Sequence, residues 1–285
     1  MPAPEIHRTG AAIHAAVETA RREGQTVGLV PTMGALHEGH LSLVRAARAE
    51  CDRVVATVFV NPTQFSADDD LDRYPRDLHS DRRLLGEAGC DLLFAPSVEE
   101  MYPPGCTTFI DVGSVAEPLE GVQRPTHFRG VATIVMKLFH LAPADRAYFG
   151  QKDYQQTVVL RQMVRDLNVP IEIRICPLIR DTDGLALSSR NARLSPAERK
   201  RALALSQSLH QVKKMVTDER ITDTSVLQTT IEQMLAAEGL QADYIAFLKQ
   251  GTVQPVEVIA GPTVIALAVP LGDVRLLDNT RIDIF

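Results

Sequence analysis

The sequence predicts an α/β fold with two domains, a larger N-terminal domain built on a parallel β-sheet and a smaller α+β domain after it. Three observations carry this prediction. Strand and helix patterns alternate over residues 1–180. The strand patterns are short apolar runs, which is typical of parallel strands covered on both faces. After residue 180 the alternation stops, and two helices are followed by strands that proline and glycine separate. We therefore predict domains at 1–180 and 181–285.

The elements of the first domain follow from the spacing of apolar residues. A helix over 11–23 has apolar residues on one face, and a helix over 41–50 would point Leu41, Val44 and Ala47 inward. The repeated strand–helix–strand order predicts right-handed crossovers and a parallel sheet. The remaining strands are expected at 26–30, 53–61, 91–96, 145–150 and 169–175, and the remaining helices at 78–88, 131–141 and 153–167.

The second domain begins with a turn-forming cluster, "RDTDG", and a small polar run, "ALSSRN". A helix then starts at "SPAER", where Ser195 is the expected N-cap, Pro196 the first helical residue and Glu198 the partner in a capping box. A second helix should cover 223–238 and end at Gly239. Strands are expected at 242–248, 263–269 and 274–284.

Composition limits the function classes. The chain has 285 residues and a net charge of −6, so nonspecific binding to nucleic acid is not expected. The four cysteines are far apart and form no C-x-x-C pair, which favours free thiols in a reducing cytosol. No apolar stretch approaches the length of a membrane span, and the N-terminus lacks the pattern of a secretion signal. A cytoplasmic, soluble protein is expected.

The segment "VPTMGALHEGH" ends an apolar run and places His37 and His40 three residues apart. At the start of a helix, free backbone N–H groups and the helix dipole favour an anion. Two imidazoles there could face one phosphate and stabilise the charge that develops during attack on phosphorus. For an isolated H-x-x-H, the alternative is that one histidine caps the helix and the other is solvated. A zinc site is less favoured, because no third ligand is suggested nearby.

Three further segments lie at expected strand ends or at the domain junction. "FGQKDYQQ" offers Lys152, and "ALSSRN" offers two hydroxyls and Arg190, whose charged fork suits phosphate oxygens. Their alternatives are a surface lysine and a polar linker. "FVNPTQF" places Asn61 and Gln64 after the most apolar strand, where amides could recognise a small polar substrate, and Gln156 could join them. An ordinary turn is equally compatible with that segment.

Several motifs are missing. There is no P-loop, no G-x-G-x-x-G and no G-x-S-x-G elbow. The acidic run Asp68, Asp69 and Asp70 suggests a solvated loop more than a metal site.

Six segments together resemble successive motifs of one family, the pantoate–β-alanine ligases (pantothenate synthetases), from about residue 27 to 195 and more weakly to "LGDVRLLDN". These segments are "PTMGALHEGHLSLV", "FVNPTQF", "YPRDL", "HFRGVATIVMKLF", "FGQKDYQQ" and "DGLALSSRN". The family belongs to the nucleotidyltransferases with a HIGH-type signature, which "HEGH" matches. The resemblance implies a Rossmann-like N-terminal domain, a smaller C-terminal domain that closes over the ATP site, and a homodimer.

The reaction implied by the resemblance has two steps and requires ATP and Mg²⁺. Pantoate is first converted to pantoyl adenylate with release of pyrophosphate, and β-alanine then displaces AMP to form pantothenate. "SADDDLDRYPRD" would be a mobile cover over the reactive intermediate.

The resemblance also implies roles for individual residues. His37, His40, Lys152 and Arg190 would be catalytic, and Gln64, Gln156 and Asn61 would bind pantoate and β-alanine. His127 and Arg129 would be neighbours of the site, and no metal ligands are implied. The ATP site would comprise Met33, Gly34, Ala35, Leu36, His37, Glu38, Gly39, His40, Gly150, Gln151, Lys152, Asp153, Ile179, Leu187, Ser188, Ser189 and Arg190.

Two other functions remain open at this point. One is a HIGH-type nucleotidyltransferase that stops after a single transfer and leaves the nucleotide in its product. The other is a nucleotide sensor that binds ATP without turnover, which the presence of His37, His40, Lys152 and Arg190 disfavours.

Overall fold

The structure is a computed structural model that describes residues 3–65, 71 and 74–283. The predicted cover loop and the acidic run at 68–70 fall mainly outside the described residues. The chain divides into two compact units. The first contains the residues up to 150 together with 159–177, and the second contains 151–158 together with the residues from 178 onward.

The first unit is built on a parallel sheet of six strands in the order β1-β4-β3-β2-β5-β6. The elements up to residue 176 are, in chain order, β1 (Glu5–His7), α1 (Gly10–Arg22), β2 (Val27–Thr32), α2 (Glu38–Glu50), β3 (Arg53–Val58), α3 (Leu78–Ala88), β4 (Leu92–Phe94), α4 (Val98–Met101), α5 (Glu120–Gln123), α6 (His127–Leu141), β5 (Arg146–Gly150), α7 (Tyr154–Asp166) and β6 (Glu172–Cys176). The central strand β2 pairs in parallel with β3 and β5. The predicted Rossmann-like sheet is confirmed.

The longer helices lie where apolar periodicity predicted them, with small differences, whereas the short helices α4 and α5 were not predicted. On α2 the fully buried residues are Leu43, Val44 and Ala47, whereas Leu41 is only half-buried. Helix α6 begins at His127, four residues before the predicted start. Strand β6 begins at Glu172, three residues after the predicted start, because Pro170 has no backbone N–H and the Ile171 N–H donates to the Val169 carbonyl at 2.8 Å.

The second unit has a three-stranded antiparallel sheet in the order β7-β8-β9, with two longer helices. Its elements after residue 178 are α8 (Pro196–Thr217), α9 (Thr224–Ala237), β7 (Tyr244–Lys249), β8 (Thr263–Leu271) and β9 (Val274–Ile282). Helix α8 starts as predicted: Ser195 Oγ accepts from the Glu198 N–H at 3.3 Å, and Glu198 Oε2 accepts from the Ser195 N–H at 2.8 Å. The core of this unit joins apolar residues of α8 and α9 to the sheet.

Over the described part of the chain, the structure has no helix with the length and apolar character needed to cross a membrane.

Candidate active site

A tight turn joins β2 to α2 and carries the first group of predicted site residues. Gly34 has φ +83° and Ala35 has φ +51°, so both lie in the left-handed region. The side chain of Asp81, on α3, holds this turn: its carboxylate accepts from the N–H of Ala35 at 3.1 Å and of Leu36 at 2.9 Å. A Cβ on Gly34 would lie 2.8 Å from Asp81 Oδ2, so the turn requires glycine there for two reasons.

Asp81 was not predicted as part of the site. It is only 3% exposed, and burial raises the pKa of its carboxyl, while the bonds from Leu36 and Ala35 oppose that rise. The sequence did hold a signal, since Asp81 lies one helical turn before the buried Leu85 and therefore on the inward face of its helix.

His37 and His40 form a reciprocal cap on the N-terminus of α2. His37 is the N-cap, and its Nδ1 accepts from the Gly39 N–H at 3.1 Å. His40 Nδ1 faces the His37 N–H at 3.4 Å, and the two ring centroids are 4.1 Å apart. The alternative for an isolated H-x-x-H was that one histidine caps the helix and the other is solvated. In the structure, both histidines take part in the cap.

This cap fixes the tautomer of both rings. A ring nitrogen that accepts from a backbone N–H uses its lone pair, so the proton of each neutral imidazole is on Nε2. Each histidine is therefore held with an Nε2–H donor at a helix N-terminus, where the dipole also favours an anion. Of the neighbouring residues, Glu38 is exposed and its carboxylate pairs with Arg45.

Gln64 is the centre of a second group in the same unit. It lies in the 3₁₀ turn Pro62–Gln64 after β3, and its Oε1 accepts from Asn61 Nδ2 at 3.1 Å. Its Nε2 is 2.9 Å from the sulfur of Met33. Asn61 is buried, and its Nδ2 also donates to the carbonyl of Gly130 at 3.2 Å. The structure thus brings the side chains of Met33, Asn61 and Gln64 together.

Tyr102 supports this group and was not predicted. Its hydroxyl donates to Asn61 Oδ1 at 2.8 Å, which orients the amide so that Nδ2 faces Gln64. His127 Nδ1 lies 2.9 Å from the Gln64 carbonyl, so His127 fixes the backbone of the turn. Arg129, the other predicted neighbour, stacks over the Phe109 ring at 4.4 Å.

In the second unit, the predicted residues Gln151, Lys152 and Asp153 form a 3₁₀ turn that leads into α7. The ammonium of Lys152 is 3.3 Å from Asp153 Oδ1. Gln151 is buried and donates through Nε2 to Asn279 Oδ1 at 2.9 Å. Gln156 is half-buried in the first turn of α7. Gly150, just before this turn, is the last residue of β5.

Residues 179–187 form a hairpin-like loop, and the two predicted ATP contacts at its ends, Ile179 and Leu187, are hydrogen-bonded to each other. The Leu187 N–H donates to the carbonyl of Ile179 at 3.0 Å. Ser188 follows as the cap of a 3₁₀ turn, and its Oγ accepts from the Arg190 N–H at 3.3 Å. Lys152 and Ser188 line the same small pocket of the second unit, and Ser189 and Arg190 are half-buried beside Ser188 in the chain.

The described residues contain no group of three histidine, cysteine, aspartate or glutamate side chains that could hold a metal ion. The four cysteines are all free thiols, with Cys51 and Cys90 buried.

Comparisons with known proteins agree on one family. A sequence model of the pantoate–β-alanine ligases matches residues 5–281. The pantothenate synthetase of Moorella thermoacetica is 50% identical over 282 residues, which are 98% of this chain and 99% of that protein. The crystal structure of pantothenate synthetase from Thermus thermophilus has a TM-score of 0.93 at 45% identity and covers 98% of this chain and 100% of its own.

A third relative carries ligands. The crystal structure of pantoate–β-alanine ligase from Francisella tularensis, complexed with β,γ-ATP and β-alanine, has a TM-score of 0.81 at 34% identity. It covers 98% of this chain and 97% of its own. In open parallel α/β sheets, ligands bind outside the carboxyl ends of the strands, which is where the histidine-capped turn after β2 lies. The chain belongs to the pantoate–β-alanine ligase family.

Proposed function

We propose that the protein is an ATP-dependent ligase that condenses pantoate with β-alanine to give pantothenate, AMP and pyrophosphate. The observation that carries this proposal is the pair of histidines at the N-terminus of α2, each held by a cap with its Nε2–H as the donor. The family match over residues 5–281 supports the substrates.

In the first step, a carboxylate oxygen of pantoate attacks the α-phosphorus of ATP. The bond from that phosphorus to the bridging α,β-oxygen breaks, and pyrophosphate leaves with its electron pair. Negative charge grows on the phosphoryl oxygens, and the Nε2–H groups of His37 and His40 stabilise it together with the dipole of α2. Lys152 and Arg190 supply positive charge to the phosphates.

In the second step, the neutral amine of β-alanine attacks the carbonyl carbon of pantoyl adenylate. The bond from that carbon to the phosphate oxygen breaks, AMP leaves, and the nitrogen loses a proton. Gln64 orients the pantoyl group through the Nε2 that Asn61 and Tyr102 direct. Gln156 is the second proposed contact to the substrates. Asn61 was predicted as a further contact, but it is buried and donates both amide hydrogens to Gln64 and Gly130, so its proposed role is to orient Gln64.

ATP contacts are proposed for the turn before α2, for the segment that contains Lys152 and for the loop that ends at Arg190. The residues are Met33, Gly34, Ala35, Leu36, His37, Glu38, Gly39, His40, Gly150, Gln151, Lys152, Asp153, Ile179, Leu187, Ser188, Ser189 and Arg190. Ile179 and Leu187 would contribute by their backbone, because their side chains carry no donor for a phosphate.

Mg²⁺ is proposed to enter as the MgATP complex. This ion retains several waters and is bound mainly through substrate phosphates. The family resemblance also leads us to propose a homodimer in the cytoplasm, which sedimentation of the purified protein and fractionation of cells would test.

An oxygen-transfer experiment tests the proposed reaction. Pantoate labelled with ¹⁸O in its carboxylate is incubated with MgATP and β-alanine, and the products are analysed by mass spectrometry. One labelled oxygen should appear in AMP and one in pantothenate. Unlabelled AMP would mean that the carboxylate does not attack the α-phosphorus, and labelled inorganic phosphate would indicate an acyl phosphate.

A further inference from the structure

Strand β9 carries two adjacent polar residues that the reaction described above does not use. Its burial alternates along most of the strand, but Asp278 and Asn279 are consecutive and both buried, at 2% and 3% exposure. Buried polar side chains are costly unless they are hydrogen-bonded. Each of these two residues satisfies that need with a different segment of the second unit.

Asn279 holds the segment that carries Lys152. Its Oδ1 accepts from Gln151 Nε2 at 2.9 Å, and its Nδ2 donates to the carbonyl oxygens of Gln151 and Lys152, each at 3.0 Å. Because both carbonyls can only accept, the orientation of the Asn279 amide is fixed by its partners. The three hydrogen bonds of the Asn279 side chain therefore fix the position of the backbone at Gln151 and Lys152.

Asp278 holds the loop that leads to Arg190. Its carboxylate accepts from Arg180 Nη1 at 2.7 Å and from Nη2 at 2.8 Å in a bidentate pair. Arg180 Nη1 also donates to the Gly184 carbonyl at 3.1 Å, so Arg180 links Asp278 to the backbone of the 179–187 loop. Burial raises the pKa of the Asp278 carboxyl, and the charges of Arg180 and Lys152 oppose that rise.

One dipeptide on a rigid strand therefore anchors two separate segments. The backbone of Ser188 and Arg190 continues directly from the 179–187 loop. A change in either anchor would displace one segment against the other without removing any group that touches the nucleotide.

We propose that Asp278 and Asn279 are positioning residues for ATP, which fix the spacing between Lys152 and the segment Ser188–Arg190. This inference rests on the proposed function, in which those two segments contact ATP. It assigns to the C-terminal strand a role in nucleotide affinity.

The test measures the KM for ATP and the KM for pantoate in pyrophosphate exchange without β-alanine. Asn279→Ala should raise the KM for ATP about tenfold, as the loss of about one net hydrogen bond would do, and leave the KM for pantoate within about twofold. Arg180→Lys keeps the charge beside Asp278 but loses the fork, and it should raise the KM for ATP by a smaller factor.

Thr263→Val is the matched control. Thr263 is 2% exposed on the neighbouring strand β8, and its hydroxyl donates to the Gly261 carbonyl at 2.9 Å, away from both segments. This variant should lose thermal stability without a change in the KM for ATP. If the Thr263 and Asn279 variants shift the KM for ATP equally, Asn279 is merely structural and the proposal is wrong.

Hydrogen exchange of the protein without nucleotide gives a readout that does not depend on activity. Asn279→Ala should speed exchange in peptides covering 151–158, and Arg180→Lys should speed it in peptides covering 179–190. If the wild type shows no pantoate-dependent exchange of pyrophosphate, the proposed function fails. If the wild type is active but Asn279→Ala has the wild-type KM for ATP, only the positioning role fails. If Asn279→Ala does not fold, the KM for ATP of Arg180→Lys decides whether the positioning role holds.

Discussion

Gly130, in the first turn of α6, packs directly against the turn that carries Gln64. A Cβ added to Gly130 would lie 2.3 Å from the carbonyl oxygen of Thr63 and 2.7 Å from the backbone nitrogen of Gln64. Both are backbone atoms, so no side-chain rotation relieves the overlap. The Gly130→Ala variant must move the turn by roughly 1.1 Å to lengthen the 2.3 Å contact to an ordinary 3.4 Å.

The expected cost has two parts. Overpacking of this kind costs about 1–3 kcal/mol, while alanine in a helix gains up to about 1 kcal/mol over glycine. The net loss of about 0–2 kcal/mol should lower Tm by up to roughly 8 °C. Displacement of Gln64 should lower kcat/KM for pantoate by about 10- to 100-fold, because small misplacements of a positioned substrate are costly.

Gly261→Ala is the matched control, since a Cβ there meets nothing within 4 Å. Thermal denaturation and steady-state kinetics with varied pantoate would be measured for both variants. Gly261→Ala should resemble the wild type. A Gly130→Ala variant with the wild-type Tm and the wild-type kcat/KM for pantoate would refute the close approach of α6 to the Gln64 turn.

Three other predictions concern the supporting structure. Burial raises the folded-state pKa of Asp81 above its ordinary value near 3.8, so its contribution to stability is fully present below that value and is lost as pH rises through the folded pKa. Urea denaturation should therefore show the wild type losing stability relative to Asp81→Asn between pH 3 and 7, and a relative gain would contradict this sign. Burial raises the pKa of Cys90 to about 12, so at pH 8 a thiol reagent should modify the partly exposed Cys106 first and reach Cys90 only on unfolding. Ser195→Ala removes the cap of α8 and should lower the free energy of unfolding by about 1 kcal/mol with no change in the KM for ATP; a shift in that KM would show that the helix start affects the nucleotide.

Local patterns predicted most of the fold. Apolar periodicity located the longer helices and strands β2 to β9, but it missed β1 and the short helices α4 and α5, which have too few residues to show a period. The Ser195 capping box was evident because its residues are close together in the chain. The order of the strands in the sheet was not predicted, since short parallel strands carry little information about their neighbours. Leu43 was not predicted as a buried residue of α2 for the same reason, because its burial depends on which strands that helix covers.

The predicted site was incomplete for a related reason. His37, His40 and Gln64 were identified because their segments resemble motifs, whereas Asp81 and Tyr102 act across 45 and 41 residues, respectively, and the local sequence does not identify their hydrogen-bond partners. Asp81 lies within α3 and Tyr102 directly after the short helix α4, and neither lies in a segment that resembles a motif. Their role depends on the tertiary contact, which only the structure shows.

Exchange of labelled pyrophosphate into ATP tests the central claim most directly, because it reports only the adenylation step. With MgATP and pantoate but no β-alanine, the wild type should exchange label, and omission of pantoate should abolish the exchange. His37→Ala should lose most of the exchange rate, while Asp81 still holds the turn and the Tm falls only by roughly 2–4 °C for the lost helix cap. Exchange that needs no pantoate, or a His37→Ala variant with the wild-type rate, would contradict adenylation by the histidine-capped helix.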